Sequence, residues 1–451
     1  MPVVRLQIVW RTVIAWCAVL ALALPAAAEQ RDGRWIATWA PALMERPVPV
    51  AGRGGPGGGM QGRGAGPAGA GQATPGRRGG GPPPPVTFNN QTLRQILRVS
   101  LGGERIRLVL SNAFGTAPLR IGAAHVALRA CPTRAAGCER TSDTAIEGTP
   151  RPLTVDGRRA FVVPPRAVLV TDPVDLDVPS LAELVVDLYL PDDLSANTVP
   201  LTYHASAMQT NYLSTPGNHA GSEAFPVDRP VNNWFFLARV EVVGPADAGV
   251  IVALGDSITD GAGSTAGENR RWPDVLAERL VRRGGRPFAV VNAGISGNRL
   301  LASGSGESAL ARLDRDVLLQ PGVTHLIVLE GINDIGAARE APEPSAADLI
   351  LAHRQIIARA KARGIKVIGA TLAPFEGAFY FTAEGEARRQ ALNEWIRTSG
   401  EYDAVIDFDR ITRDPDHPAR FLPLHDSGDR LHPGDAGYAA MGNGIDLALF
   451  D

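Results

Sequence analysis

The second half of the chain alternates between strand-like and helix-like segments, and this alternation restricts the folds open to it. Five short apolar runs have the pattern of strands buried in a parallel sheet, and they cover residues 250–254, 288–292, 325–329, 365–370 and 404–408. Patterns with helical periodicity cover residues 272–283, 307–319, 345–363, 384–398 and 436–449. The alternation predicts an α/β domain over residues 249–451, with helices on both faces of a parallel sheet.

The preceding segment, residues 86–245, has a different pattern. Residues 105–110 and 184–190 alternate apolar and polar side chains, and other short runs are separated by Pro, Gly and Asp. Strands at this spacing predict a β-sandwich or jelly-roll-like domain. Such an accessory domain either binds carbohydrate or covers one side of its neighbour. We favour the structural role, because the sequence shows no aromatic platform for sugars.

The N-terminus has the features of a secretory signal over residues 1–28. Arg5 and Arg11 make its beginning positive, and the apolar run at residues 13–24 is too short to span a bilayer. Ala26 and Ala28 form a small-residue cleavage site. We therefore expect a protein secreted to the periplasm or the extracellular space, with an uncleaved anchor as the alternative.

Two segments separate this signal from the β-rich region. Residues 29–50 contain Trp35 and Trp39, which we interpret as anchoring the segment to the body of the protein. Residues 51–85 include 15 glycines and 7 prolines. Such a composition cannot bury a core, so it predicts a disordered loop.

Cysteine content and charge restrict the partners of the chain. Cys131 and Cys138 are the two cysteines beyond the signal, and in an oxidising compartment they predict a short-loop disulfide. The formal net charge of −2 gives no basic excess. Nucleic-acid binding is therefore not expected.

Four short motifs follow strand-like runs of the α/β pattern. They are Gly-Asp-Ser at residues 255–257, Asn-Ala-Gly at 292–294, Gly-Ile-Asn-Asp at 331–334 and Asp-Arg-Leu-His-Pro at 429–433. Taken alone, each fits a helix cap or a turn. Together they lie where open α/β sheets bind ligands, at the carboxyl ends of the strands. Their combination predicts one shared site.

These motifs, in this order, resemble those of the SGNH hydrolases, the GDSL esterase and lipase superfamily. The resemblance covers roughly residues 249–451 and implies a three-layer α/β/α, flavodoxin-like parallel sheet. A looser resemblance, which includes Trp35, Trp39 and the β-rich region, is to a secreted arylesterase-like subgroup associated with xylan degradation. The implied activity is hydrolysis of carboxylic esters through an acyl-enzyme.

The family resemblance assigns a catalytic triad that agrees with the chemistry of these side chains. Ser257 would be the nucleophile, and it needs an adjacent base. His432 would take its proton and later protonate the leaving group, while Asp429 would orient the imidazole. His425 is a competing histidine, but its spacing from Asp429 is less suitable.

Acyl transfer also needs donors for the developing oxyanion. The resemblance assigns this role to the backbone N–H groups of Ser257 and Gly294 and to the side-chain amide of Asn333. We expect no cofactor and no metal, since these motifs already account for a metal-free site. Three carboxylates would otherwise be candidate metal ligands, namely Asp256, Asp260 and Asp334.

Loops at the same sheet edge are expected to contact substrate. The residues predicted for this role are Trp272, Asn298, Arg299, Phe375 and Tyr380.

The leading hypothesis is a secreted serine esterase acting on short-chain esters, either acetylated polysaccharide or aryl esters. The alternatives are an acyltransferase, a lysophospholipase-like lipase and a non-catalytic glycan-binding protein. We expect no stable membrane association, because no apolar lid or amphipathic membrane helix stands out. The sequence does not indicate an oligomeric state.

Overall fold

The computed structural model describes residues 33–46, 48, 86–131, 143–195, 198–336 and 343–451. The predicted signal at residues 1–28, the Gly/Pro-rich segment at residues 51–85 and Cys138 lie outside these residues. Cys131 is disulfide-bonded. Across the described part of the chain, the longest helices are too short or too polar to cross a membrane.

The described residues form strands and helices that we number in chain order. The strands are β1 (Gly33–Trp39), β2 (Met44–Arg46), β3 (Asn89–Arg98), β4 (Gly103–Ser111), β5 (Leu119–Ile121), β6 (Ala123–Arg129), β7 (Ile146–Pro152), β8 (Phe161–Val163), β9 (Val168–Val170), β10 (Val174–Val178), β11 (Glu183–Asp193), β12 (Leu201–His204), β13 (Asn211–Pro216), β14 (Val227–Val231), β15 (Trp234–Phe235), β16 (Leu237–Pro245), β17 (Gly249–Gly255), β18 (Phe288–Gly294), β19 (Val323–Leu329), β20 (Lys366–Ala370) and β21 (Ala404–Ile406). The α-helices are α1 (Ser257–Asp260), α2 (Trp272–Arg283), α3 (Ala309–Leu313), α4 (Ile332–Gly336), α5 (Ala346–Lys361), α6 (Ala383–Thr398), α7 (Phe408–Thr412) and α8 (Asp435–Gly444). A π-helical turn (Asp314–Leu318) and a 3-10 turn (Leu447–Phe450) complete the helical segments.

The C-terminal half contains a five-stranded parallel sheet in the order β18-β17-β19-β20-β21. Numbered within this sheet, the order is 2-1-3-4-5, which is the flavodoxin-like order of doubly wound α/β proteins. Every residue of β17 is buried, as its run of apolar residues predicts for a central parallel strand. Because the winding direction reverses beside β17, ligands are expected at its carboxyl end.

Local sequence determines most helix ends in this half. α2 has the bounds predicted from its periodicity, and α5 begins after Ser345, which forms a capping box with Asp348. Three predicted elements differ. The predicted helix at residues 436–449 consists of α8 and the separate 3-10 turn, with Ile445 and Asp446 between them. The predicted helix at residues 307–319 consists of α3 followed by the π-helical turn. The predicted strand at residues 404–408 ends at Ile406, because Asp407 caps α7.

The N-terminal region is built from antiparallel sheets. The largest has six strands in the order β14-β13-β3-β11-β6-β7, and a second contains β1-β16-β4-β10 with β9 beside β4. Trp39 packs edge-on against Trp234 at a centroid distance of 5.0 Å. Trp35 instead lies under the guanidinium of Arg107. Between Ala37 and Trp39 a bulge shifts the register of β1 against β16. Both tryptophans therefore attach β1 to the β-rich region, in different surroundings.

The β-rich region and the α/β sheet share a continuous hydrophobic core. Polar contacts join them as well. The Val290 N–H donates to Ser100 Oγ at 2.9 Å, and Arg98 pairs with Glu278 of α2 at 3.0 Å. The N-terminal region is thus packed directly against the strands that lead to the predicted site.

Candidate active site

The chain presents Ser257 on a tight turn between β17 and α1. Asp256 caps the helix, and its Oδ1 accepts a hydrogen bond from the Ile258 N–H at 2.9 Å. A Cβ on Gly255 would lie 2.1 Å from Thr259 Oγ1, so only glycine fits there. Ser257 is 6% exposed. The turn therefore fixes Ser257 at the edge of the sheet. The same turn caps α1 and presents the serine hydroxyl.

Ser257, His432 and Asp429 form a continuous chain of hydrogen bonds. The distance between Ser257 Oγ and His432 Nε2 is 2.8 Å, and that between His432 Nδ1 and Asp429 Oδ2 is 2.6 Å. The backbone N–H groups of His432 and Leu431 donate to Asp429 Oδ1 at 2.8 and 3.0 Å. His425 lies outside this chain, since its Nδ1 is 3.3 Å from the Thr412 carbonyl oxygen.

The charge on Asp429 suits an orienting role. Burial alone raises the pKa of this carboxyl, but the hydrogen bonds and charge of His432 outweigh it and hold the pKa well below its usual range. An ionised Asp429 keeps the proton of the imidazole on Nδ1. His432 Nε2 is then free to accept the proton of the Ser257 hydroxyl.

Asn333 contributes an amide to the same sheet edge. Its Nδ2 donates to the Asn298 carbonyl oxygen at 2.9 Å, and the residue is 6% exposed. A primary amide carries two N–H donors, so one is left for a ligand. The neighbouring Asp334 accepts hydrogen bonds from the Leu300 and Leu301 N–H groups at 2.7 and 3.1 Å. The segment that holds Asn333 in place is thus itself fixed.

The structure corrects the assignment of Gly294 as an oxyanion donor. The Gly294 N–H already donates to Asn292 Oδ1 at 2.9 Å. A Cβ at this position would lie 2.3 Å from the backbone nitrogen of Asp260. Gly294 is therefore required for the close approach of α1, while its N–H is not available.

A second glycine of the same segment offers a free donor. Gly297 is exposed and has a φ of +80°, a conformation that favours glycine. Its N–H forms no hydrogen bond to another described residue, in contrast to the N–H groups of Ser296 and Asn298 on either side. Sequence analysis missed it because Gly297 lies three residues beyond the Asn-Ala-Gly motif, and only the hydrogen bonds show which of the two glycines has a free N–H.

Arg312 is a buried residue of the site that sequence analysis did not identify. Its guanidinium donates to the carbonyl oxygens of Gly255 and Ala293 at 3.0 and 2.7 Å and to Asn298 Oδ1 at 2.9 Å. It also pairs with Asp316 at 3.2 Å, and its side chain is fully buried. This one side chain therefore ties together the ends of β17 and β18 and the segment that holds Asn333.

Three further carboxyl groups lie buried near the triad. Burial raises the pKa of Asp256 to about 7 and that of Asp334 to about 6, and it raises the pKa of Glu330 well above its usual range. Neither carboxyl oxygen of Glu330 has a hydrogen-bond partner among the described residues. Environments that push carboxyl pKa values apart are typical of acid–base sites. The pKa values of these three carboxyl groups are raised and that of Asp429 is lowered, so Asp429 is the ionised partner of His432.

Two of the predicted substrate contacts are wrong. Trp272 and Phe375 are fully buried. Trp272 packs against Phe408 at a centroid distance of 5.4 Å, and Phe375 packs edge-on against Phe381 at 5.1 Å. Both are core residues, because a large aromatic side chain at a strand or helix end can bury as readily as it can line a pocket.

The other three predicted contacts lie around the site in different roles. Asn298 is buried, and its amide donates to the Ser305 and Glu307 carbonyl oxygens, so it supports the loop. Arg299 is half-buried and donates to the Ser303 carbonyl oxygen. Tyr380 is 9% exposed.

Phe379 is the exposed aromatic side chain of the loop between β20 and α6. It is 58% exposed and packs against Tyr380 at 4.5 Å. The loop lies beside the His432 segment, since a Cβ on Gly377 would be 3.1 Å from Arg430 Cγ. Phe379 therefore offers an apolar surface at the loop that flanks the site.

The sheet order and the position of the four motifs define the class of the C-terminal half, the SGNH or GDSL hydrolase fold. Residues 253–440 match the model of the GDSL-like lipase/acylhydrolase family. No curated protein matches the chain by sequence.

Several solved structures are similar over less than half of this chain. The native aryl esterase of M. smegmatis is 17% identical, with 43% of this chain and 95% of that one covered and a TM-score of 0.35. A GDSL-like lipase from Bacteroides thetaiotaomicron VPI-5482 is 20% identical, with coverage of 45% and 87% and a TM-score of 0.32. An alpha/beta hydrolase enzyme from the metagenome of Lake Arreo is 22% identical, with coverage of 44% and 92% and a TM-score of 0.35.

Proposed function

We propose that this protein is a serine esterase that cleaves short-chain carboxylic esters through an acyl-enzyme. The single observation that carries the proposal is the hydrogen-bonded chain from Ser257 through His432 to Asp429, at 2.8 and 2.6 Å. The match of residues 253–440 to the model of the GDSL-like lipase/acylhydrolase family supports the same reaction class.

The first half of the reaction forms the acyl-enzyme. Ser257 Oγ attacks the acyl carbon while its proton moves to His432 Nε2, and Asp429 stabilises the imidazolium. The carbonyl oxygen becomes an oxyanion, for which we propose the N–H groups of Ser257 and Gly297 and the Asn333 amide as donors. The tetrahedral intermediate then collapses. The ester C–O bond breaks, and His432 returns its proton to the leaving alcohol.

The second half releases the acid. A water molecule gives a proton to His432 and attacks the acyl carbon, and the same donors stabilise the second oxyanion. Collapse breaks the bond to Ser257 Oγ, which takes the proton back from His432. The products are a carboxylic acid and the free enzyme.

For substrate, we propose short acyl esters, with acetylated polysaccharide or aryl esters as the natural class. Phe379 supports this choice, because an exposed aromatic ring beside the site can stack on an aryl or sugar group. A lipase acting on long chains would need a larger apolar surface.

The test is a series of p-nitrophenyl esters with acyl chains from acetyl upward, followed by acetate release from acetylated xylan. We expect the highest kcat/KM with the shortest chains and loss of turnover in Ser257→Ala. Turnover by Ser257→Ala at the parent rate would contradict the esterase assignment. A preference for acyl chains of about twelve carbons or more would identify a lipase instead.

Two alternatives give different products in the same assay. An acyltransferase would pass the acyl group to an added alcohol faster than to water. A glycan-binding protein would bind the polysaccharide and release no acid.

We further propose that the chain is exported and cleaved after residue 28, and that residues 86–245 and 249–451 form two domains. The finer architecture we propose is a jelly-roll-like N-terminal domain and a three-layer α/β/α C-terminal domain. N-terminal sequencing of the protein from a secreting host tests the cleavage, with Glu29 as the expected first residue.

A further inference from the structure

A buried histidine of the β-rich region contacts the helix that begins with Ser257. His204 is the last residue of β12, and Asp260 is the last residue of α1. The distance from His204 Nε2 to Asp260 Oδ1 is 3.0 Å. Both residues are 2% exposed. This is a polar contact between the two halves of the chain made within the first turn after the nucleophile.

The surroundings of His204 require its charged form. Its Nδ1 lies 2.8 Å from the Ala42 carbonyl oxygen, and its Nε2 faces the Ser206 carbonyl oxygen at 3.0 Å as well as Asp260. All three partners are acceptors, so both ring nitrogens must carry protons to be satisfied. The β-rich region thus places an imidazolium against Asp260.

The direction in which the pKa of His204 is shifted agrees with a charged imidazolium at this position. Burial alone lowers the pKa of His204, but the charge and hydrogen bond of Asp260 and the two carbonyl oxygens outweigh it and raise the pKa.

Asp260 also contacts the segment on the other side of the site. Its Oδ2 accepts hydrogen bonds from the Ser296 N–H at 3.0 Å and from Ser296 Oγ at 2.6 Å. Ser296 directly precedes Gly297, whose N–H we propose as an oxyanion donor. One carboxylate therefore holds both the serine helix and the donor segment. A buried carboxylate can do so at low cost only while a positive partner neutralises it.

We propose that His204 is a positioning residue of the ester-cleaving site, which acts through Asp260 on α1 and on the Ser296–Gly297 segment. This inference rests on the proposed esterase function. It makes the β-rich region a structural part of the active site. Removing His204 leaves Asp260 without its hydrogen-bonded cation, so that the charge of the buried Arg271, which is engaged by Asp274, is the remaining compensation and the two segments are free to shift. Displacements of about 1 Å in a catalytic group cost up to about 100-fold in rate.

The contact between the halves of the chain is not by itself evidence for this role, so the test needs a matched control. The Arg98–Glu278 pair also joins the β-rich region to the α/β sheet, and it contacts α2 instead of α1. Glu278→Gln weakens this docking contact without touching Asp260 or Ser296.

The experiment measures kcat and KM of the full chain with p-nitrophenyl acetate, together with the thermal midpoint, for five variants and the parent. For His204→Leu we expect kcat to fall about 10- to 100-fold with a smaller change in KM. His204→Gln keeps an N–H donor and should recover part of the loss. The His204→Leu/Asp260→Asn double variant should be no slower than Asp260→Asn, since the two residues act as one unit. Glu278→Gln should lower the thermal midpoint and leave kcat within about two-fold.

Several outcomes would overturn the inference. A folded His204→Leu with the parent kcat would do so, and so would a double variant whose losses multiply. If kcat fell equally in Glu278→Gln and His204→Leu, the loss in His204→Leu would come from weaker docking of the β-rich region and not from the position of Asp260. If His204→Leu does not fold, Ser296→Ala decides, because it removes the 2.6 Å bond at the other oxygen of Asp260. A parent kcat in Ser296→Ala would overturn the role.

Failure of the esterase proposal gives a different pattern. In that case the parent protein has no turnover that depends on Ser257, and all variants match Ser257→Ala. Turnover that depends on Ser257 but not on His204 overturns only the positioning role.

Discussion

The guanidinium of Arg312 donates a hydrogen bond of 3.0 Å to the carbonyl oxygen of Gly255, the residue at which β17 ends two positions before Ser257. The same guanidinium bonds the carbonyl oxygen of Ala293 and the side chain of Asn298. Neighbouring strand ends at the edge of a parallel sheet have unpaired carbonyl oxygens, which must be satisfied when they are buried. Arg312 bonds two such oxygens, of which that of Gly255 also accepts from the Ile295 N–H at 3.0 Å, and so helps to set the spacing between the serine and the donor segments.

Loss of this arginine should destabilise the fold. Arg312→Met removes the bonds to Asn298 Oδ1 and to the Gly255 and Ala293 carbonyl oxygens, and it leaves Asp316 paired with Arg315 alone. We expect the free energy of unfolding to fall by about 3–5 kcal/mol. Urea unfolding followed by circular dichroism measures it. Arg354→Met, which breaks the exposed pair with Glu401, is the control and should cost less than about 1 kcal/mol. Equal losses in the two variants would show that the buried contacts of Arg312 carry no special weight.

Asn333 should act on the transition state more than on substrate binding. Removing an oxyanion donor costs about 10²–10³ in kcat, and we expect Asn333→Ala to show this loss with p-nitrophenyl acetate while KM changes little. Asn218→Ala, at an exposed turn of the β-rich region, is the matched control and should leave kcat at the parent value. An Asn333→Ala enzyme with normal kcat would remove the amide from the oxyanion site.

The choice between Gly297 and Gly294 can be tested at the backbone. Replacing either glycine by glycolic acid through nonsense suppression exchanges the N–H for an ester oxygen and adds no side chain. We expect the replacement at Gly297 to lower kcat about 10²-fold, as for other oxyanion donors. The replacement at Gly294 loses the bond to Asn292 Oδ1 and weakens the Ala293 carbonyl oxygen as an acceptor for Arg312. It removes no oxyanion donor, so kcat should fall much less than at Gly297. The reverse order of effects would restore Gly294 as the donor.

The α/β part of the fold could be predicted from the sequence because its signals are local. Apolar runs of strand length, helical periodicity and caps such as Ser345 depend on neighbouring residues, and β17–β20 and α2, α5 and α6 lie within a few residues of their predicted bounds. The motifs at the strand ends could be placed at one edge for the same reason, since all strands of a parallel sheet end on the same side.

The remaining features depend on contacts between residues far apart in the chain. Tryptophan is common in ligand pockets, and only the packing of Trp272 against Phe408 shows that it is a core residue. Arg312 falls in a helical segment, where an arginine is ordinarily solvated. His204 lies in another region, 56 positions from Asp260. No local pattern marks any of the three, because burial and partners are decided by tertiary packing.

His353 gives the protein an acid-sensitive core. This histidine of α5 is fully buried, and its Nδ1 lies 2.6 Å from the Tyr402 hydroxyl oxygen. Burial lowers its pKa to about 4, although the Glu330 backbone opposes the shift. In the unfolded chain a histidine has a pKa of about 6.5. Between these values the unfolded chain binds a proton at His353 that the folded chain does not, so the contribution of His353 to stability should fall as the pH is lowered from about 6.5 to about 4.

The size of this effect follows from the difference between the two pKa values, and it is on the order of 3 kcal/mol for His353 alone. The measurement is the free energy of urea unfolding at about pH 7 and about pH 4, taken as a difference for each variant. His353→Gln does not titrate and should lose less stability than the parent on acidification, even if it is less stable at both pH values. His417→Gln, at a histidine whose side chain is 64% exposed, should lose as much as the parent. An acid-induced loss in His353→Gln equal to that of the parent would mean that another group sets the acid stability, such as His325, whose pKa burial also lowers to about 4.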